Sequence, residues 1–151
     1  MKSFYANTSG ETRRWFDEVG KLLSAGETVE FLTVGKSMFP ALLPGKDLVR
    51  IRASERYRSG DIVLFSGCKP EGIFLHRIVG MKSGTVTLMG DANLSQKEMC
   101  REEDIAGKVV SVIRDGRDIT GTPAFRILSA IHYLPFFMRG IAIRVLRITI
   151  R

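Results

Sequence analysis

The chain has 151 residues, 44% of them apolar, a net charge of +7 and two cysteines. That length and apolar content read as one ordinary globular domain with an appendage. Cys68 and Cys100, with no CxxC spacing, exclude a disulfide scaffold and a zinc site, and leave reduced thiols of a cytosol-like compartment as the default. The positive charge suits an acidic partner, either a phospholipid surface or a nucleic acid, without choosing between them.

Residues 8–25 read as an amphipathic helix. Thr8 and Glu11 have the spacing of a capping box, and Trp15, Phe16, Val19, Leu22 and Leu23 share one face. Gly26 is the expected stop. A helix of this kind packs on a domain, or lays Trp15 and Phe16 in a membrane surface beside Arg13 and Arg14.

From Val29 to about Thr120 the pattern becomes short β runs: Val29–Val34, Leu48–Arg52, Asp61–Phe65, Ile73–Val79, Thr85–Met89 and Lys108–Ile113. Pro44-Gly45, Ser59-Gly60, Ser66-Gly67 and Ser83-Gly84 punctuate them. Asp115-Gly116 predicts a hairpin returning through Asp118–Thr120. Strands at this spacing without intervening helices predict a mainly β, antiparallel domain over residues 29–120, preceded by the helical residues 1–28.

Residues 121–151 form a C-terminal basic amphipathic helical segment, interrupted by Pro135 and Gly140. It holds five arginines from Arg126 onward and no acid. Two readings stand side by side: a helix lying on a membrane surface, and one that closes the core or meets a partner. Nucleic acid is not an expected partner, because the aromatics cluster away from the arginines.

Candidate chemistry begins at Gly35-Lys36-Ser37-Met38-Phe39-Pro40, directly after the first β run. A serine there can project from a sheet end, but its hydroxyl is a poor nucleophile until a base takes its proton. His132 lies in the apolar C-terminal stretch and reads as a packed residue. His76 alternates with Phe74 and Ile78 on one strand face, where a polar imidazole needs hydrogen-bond partners. Asp91, in the turn Gly90-Asp91-Ala92-Asn93, can accept the other imidazole N–H, or can simply close an Asx turn.

Five segments in order, Gly35 to Pro40, Ser59-Gly60-Asp61-Ile62-Val63, His76-Arg77-Ile78-Val79, Gly90-Asp91-Ala92-Asn93 and Ile105-Ala106-Gly107-Lys108-Val109, resemble the boxes of type I signal peptidases. That superfamily includes the self-cleaving repressors of the SOS response, and the resemblance covers roughly residues 29–113. With His76 where many relatives have lysine, the chain is similar to the serine–histidine branch of endoplasmic-reticulum and archaeal-type enzymes. The resemblance implies a serine endopeptidase with Ser37 as nucleophile, His76 as general base and the Ser37 backbone N–H as oxyanion donor. It implies substrate contacts at Met38, Phe39 and Pro40, a peptide or precursor-protein substrate, and no metal or other cofactor. Gly35 stands where some relatives place a second, side-chain oxyanion donor. Asp61 is expected to serve the turn.

The chain departs from that pattern twice. Relatives of this branch carry an aspartate shortly after the Gly-Asp-x-Asn turn, where this chain has Gln96, Lys97 and Glu98. The third role therefore falls first to Asp91, then to Asp104, and after them to Glu98 or to no acid. The sequence also has no early apolar core of the roughly 7–15 residues that export signals carry and no run of about 18 apolar residues. A cytoplasmic enzyme, peripheral on the inner face of a membrane through its basic C-terminal segment, is the expectation. The alternative is an inactive module of the same fold that binds peptide or membrane.

Overall fold

The computed structural model describes residues 9–68 and 71–150. The N-terminal helix α1 spans Ser9–Ser24, and Thr8, half of the expected capping box, lies outside the described residues. The helix ends where predicted. Gly26 has φ +86°, its N–H donates to the Leu23 carbonyl, and the Glu27 N–H donates to the Leu22 carbonyl. This pair of bonds closes the last turn around a residue without a Cβ.

Eight strands follow: β1 Val29–Leu32, β2 Leu48–Arg52, β3 Ile62–Cys68, β4 Glu71–Lys82, β5 Thr85–Met89, β6 Glu98–Arg101, β7 Ile105–Arg114 and β8 Arg117–Asp118. They form one antiparallel sheet in the order β1-β2-β7-β3-β4-β5-β6, with β8 pairing on β7. The fold is mainly antiparallel β with an N-terminal helix and C-terminal helices. Ser83 and Gly84 (φ 50° and 77°) turn β4 into β5. Asp115 and Gly116 (φ 51° and 75°) turn β7 into β8. Two consecutive left-handed residues match the twist of a hairpin, and both turns fall where the sequence puts them.

The sheet has two different faces. On one, Phe16, Val19 and Leu23 of α1 pack over Ile51 and Leu64. Beside them Met38, Leu42, Val49, Ile62, Val112 and Phe125 form a second cluster. Phe16 is buried and Trp15 meets Phe31 edge-on at 5.5 Å, so α1 closes the core; the alternative that this pair enters a membrane surface is corrected. On the other face the sheet curls until β3 packs against β6, and Val63, Phe65, Ile78, Val86, Leu88 and Cys100 fill the interior.

Between β1 and β2 the chain makes a long loop over residues 33–47, and Ser37 lies on it. A clasp fixes its ends. The Thr33 N–H donates to the Asp47 carbonyl, the Thr33 hydroxyl reaches the Leu43 and Asp47 carbonyls, and the Gly45 N–H donates to the Thr33 carbonyl. The fully buried Asp47 carboxylate accepts from the Leu43 N–H at 2.8 Å and from Arg114 Nε and a terminal nitrogen at 2.7 Å each. The Phe39–Pro40 peptide within this loop is cis.

After Thr122, which caps it through its hydroxyl, helix α2 spans Pro123–Ala130. A 3-10 turn over Ile131–Tyr133 leads to helix α3, Phe136–Thr149, which begins after Pro135 and runs straight through Gly140. Among the described residues no helix is long and apolar enough to cross a membrane. Arg139 and Ile143 face inward on α3, where Ile143 packs on Phe39 and Leu43. His132 donates from Nδ1 to the Ser129 carbonyl at 2.6 Å.

Two stability predictions arise here. Asp47→Ala is expected to cost about 3 kcal/mol, the lower end for breaking a buried ion pair, since Arg114 stays partly exposed; urea unfolding that changes by less than about 1 kcal/mol would contradict the clasp. Burial holds the His132 imidazole below its ordinary value near 6.5; Arg77 acts in the same direction, while the bond to Ser129 opposes it. The unfolded chain then binds this proton more readily than the native state. Stability from this group is complete above about pH 6.5 and declines as pH falls below that value. His132→Gln is expected to flatten that decline in urea midpoints; an unchanged slope would contradict it.

Candidate active site

Strand alternation builds the site from the curled face of the sheet. On β4, Phe74, His76 and Ile78 point inward, and the Phe74 ring stacks on the imidazole at 5.5 Å and 23°. On β6, Glu98 and Cys100 point inward while Met99 and Arg101 point out. Ile78 pairs with Leu88 on β5, and Leu88 pairs with Glu98. That register sets the Glu98 carboxylate under the His76 ring.

His76 Nδ1 lies 2.9 Å from Glu98 Oε2, and His76 Nε2 lies 2.9 Å from Ser37 Oγ. An ionised carboxylate can only accept, so Nδ1 carries the proton and donates it to Glu98. The Nε2 lone pair then faces the Ser37 hydroxyl. Exposure falls along the line. Ser37 is partly exposed, His76 is 4% exposed and Glu98 is 1% exposed. The hydroxyl sits at the surface with its base behind it and the acid at the bottom. Ser37 and His76 therefore meet as the sequence predicts.

Asp91 does not meet them. Its carboxylate accepts from Arg77 Nε at 2.8 Å and a terminal nitrogen at 2.6 Å, a bidentate pair nearly closed to solvent. The assignment of Asp91 to the imidazole is thus corrected, because Glu98 takes His76 Nδ1 while a permanently charged, buried guanidinium holds Asp91. Its Asx-turn alternative is corrected too, because the Asn93 N–H donates to the Gly90 carbonyl. Asp104 is also away from the ring, accepting from the Arg101 backbone N–H at the 3-10 turn Glu102–Asp104. Glu98, ranked last among the acids by sequence, holds the position. Asp61 serves its turn, accepting from the Arg58 N–H and pairing with Lys108.

The Gly-Asp-x-Asn turn has a different task. The Ala92 N–H donates to the Ser37 carbonyl at 2.8 Å. A Cβ on Gly90 would come within 2.6 Å of that carbonyl oxygen and 3.1 Å of His76 Nε2. The turn must therefore be glycine at its start, because it packs its backbone directly behind the serine and the imidazole. Arg77 extends the grip, donating to the Gly60 carbonyl and to the Ser129 hydroxyl on α2.

Of the residues expected to contact substrate, Met38 and Pro40 are corrected: both are buried and line no part of the groove beside the loop. Phe39 is mostly buried but keeps an edge on that groove. Met38 packs in the core with Leu42 and Phe125, and Phe39 packs on Leu43 and Ile143. These residues seat the Ser37 loop. A shallow groove of about 430 Å³ opens beside them, lined by Lys36, Phe39, Pro44, Lys46 and Arg147 among others. No hydrogen-bond acceptor for the Ser37 backbone N–H is found among the described residues. A Cβ on Gly35 would meet only Ser37 Oγ, at 4.0 Å, so the space beside the hydroxyl is open.

The chain matches no protein-family model and no curated protein sequence.

Proton NMR can test which acid holds the ring. A strongly downfield His76 Nδ1 proton is expected in the parent chain, retained in Asp91→Asn and absent in Glu98→Ala. Glu98→Ala should also lower stability by about 1–3 kcal/mol, the cost of a buried N–H left without an acceptor. Loss of the signal in Asp91→Asn alone would overturn the assignment.

Proposed function

We propose that the chain is a serine endopeptidase of the signal-peptidase type, cleaving leader peptides through Ser37, His76 and Glu98. The observation that carries this reading is the continuous line from a partly exposed hydroxyl, through an imidazole bonded at both nitrogens, to a buried carboxylate. Ser37 Oγ attacks the scissile carbonyl carbon while His76 Nε2 takes the hydroxyl proton. Glu98 keeps the ring in the productive tautomer and balances the imidazolium that forms. The Ser37 backbone N–H, without an acceptor among the described residues, is available to the oxyanion, and Gly35 leaves that side open. Collapse of the tetrahedral species expels the amine, which leaves with the proton held by His76. Water then hydrolyses the acyl-enzyme by the same route in reverse order.

Substrate is expected to lie extended, with small residues before the scissile bond. β1 is the terminal strand of the sheet and leads straight into the Ser37 loop, which suits pairing of a peptide along its edge. The same proposal puts the enzyme on the cytosolic side, where the inner leaflet of a bilayer is anionic and the chain is basic. An inactive binding module of the same fold is the rival reading. Its support was the missing aspartate after the Gly-Asp-x-Asn turn, and Glu98 supplies a carboxylate there in space.

The test is a comparison of protein N-termini in cells carrying the parent chain or Ser37→Ala. One or a few uncut precursors are expected to accumulate with Ser37→Ala, each with a small residue before the cleavage point. Identical N-termini in the two strains would count against the peptidase.

A further inference from the structure

We propose that the outward face of α3 docks on an anionic bilayer surface. Arg139, Ile143, Leu146 and Ile150 follow a helical spacing that turns them toward the protein. The opposite stripe is apolar as well. Phe137, Ile141 and Ile148 are 66%, 63% and 72% exposed, and Phe136 adds another 60% exposed ring at the start of the helix. Single exposed apolar residues are ordinary, but a continuous stripe of this kind marks an interaction surface.

Charge decides the occupant. No acidic residue follows Asp118, and Arg144 and Arg147 of α3 are exposed along the stripe. A second copy meeting this face by two-fold symmetry would set arginine against arginine, with no carboxylate from residues 119–151 to separate them. A nucleic acid offers phosphates but nothing for the apolar stripe. A bilayer surface with anionic headgroups matches both, taking the side chains into its acyl boundary and the guanidinium groups at its phosphates. At 14 residues α3 is about 21 Å long, too short to cross a hydrocarbon core and suited to lying along it.

The docking face is separate from the Ser37–His76 pair and stands whether or not that pair is catalytic. The two are nonetheless mechanically close. The inner side of α3 packs on Phe39, and Arg139 donates to the Leu94 carbonyl just past the Gly-Asp-x-Asn turn. A helix lying on a bilayer would hold the serine loop near that surface.

Co-sedimentation of the whole chain with vesicles tests the proposal. Mixed phosphatidylcholine–phosphatidylglycerol vesicles are expected to bind it about tenfold or more tighter than phosphatidylcholine alone. The double variant Ile141→Ser, Ile148→Ser should lose about tenfold or more on the mixed vesicles. Arg144→Glu with Arg147→Glu should remove the preference for the anionic lipid. All these positions are exposed, so unchanged circular dichroism and melting are expected for each. Failure of the folded parent chain to bind mixed vesicles at low salt would overturn the proposal, as would undiminished binding of the serine variant. A parent dimer that the serine variant converts to monomer would overturn it too, by assigning the stripe to a second copy.

Discussion

A buried imidazole has two nitrogens to satisfy, and the arrangement of this chain follows from how His76 does so. Left unpaired in the interior, each ring nitrogen would cost a sizeable fraction of the stability of a small domain. Glu98 supplies one partner and Ser37 the other, at equal distances. Neither is near His76 in sequence. One arrives on the last strand of the curled sheet and the other on a loop before β2. The sheet must curl for the first contact, and the loop must be clamped for the second. Satisfying the ring thus fixes the relative position of three remote segments.

The clamp on the serine loop comes from three directions. Asp47 gathers the far end of the loop onto Arg114 of β7, Met38 and Leu42 anchor its middle in the core, and the Ala92 N–H takes the Ser37 carbonyl. Behind that last contact stands the Arg77–Asp91 pair, which ties the Gly90 turn to the strand carrying His76 and, through Ser129, to α2. Charged groups this deeply buried do little for net stability against apolar residues of equal size. Their geometric demands are strict, however, and geometry is what a proton transfer between Ser37 and His76 requires. The C-terminal helices therefore belong to the support of the site, since α2 touches Arg77 and α3 seats Phe39.

Much of this was legible in the sequence, and the gaps have physical causes. Strands with Val, Ile or Phe at alternate positions could be read, as could the Ser83-Gly84 and Asp115-Gly116 turns, because only a few residue types adopt two left-handed conformations in succession. The strand β6 could not. Its inward positions are Glu98 and Cys100 and its outward ones Met99 and Arg101, so it carries no β-branched residue and no apolar alternation. Missing that strand meant missing how Glu98 reaches the ring, and the nearer-looking Asp91 took its place. A signal did exist against Asp91. Arg77, beside His76 on a strand, faces the other side of the sheet, and an arginine buried there needs a carboxylate. Met38 and Pro40 were misread for a related reason: adjacency to Ser37 in sequence says nothing about which way a side chain points.

The imidazole and its carboxylate are expected to make Ser37 unusually reactive for a serine. Mass spectrometry after treatment with a fluorophosphonate measures this without any knowledge of the substrate. A single covalent adduct on the peptide containing Ser37, lost in a folded His76→Ala chain, is the predicted result. A folded, unmodified parent chain, or an adduct that forms equally well without His76, would contradict the account.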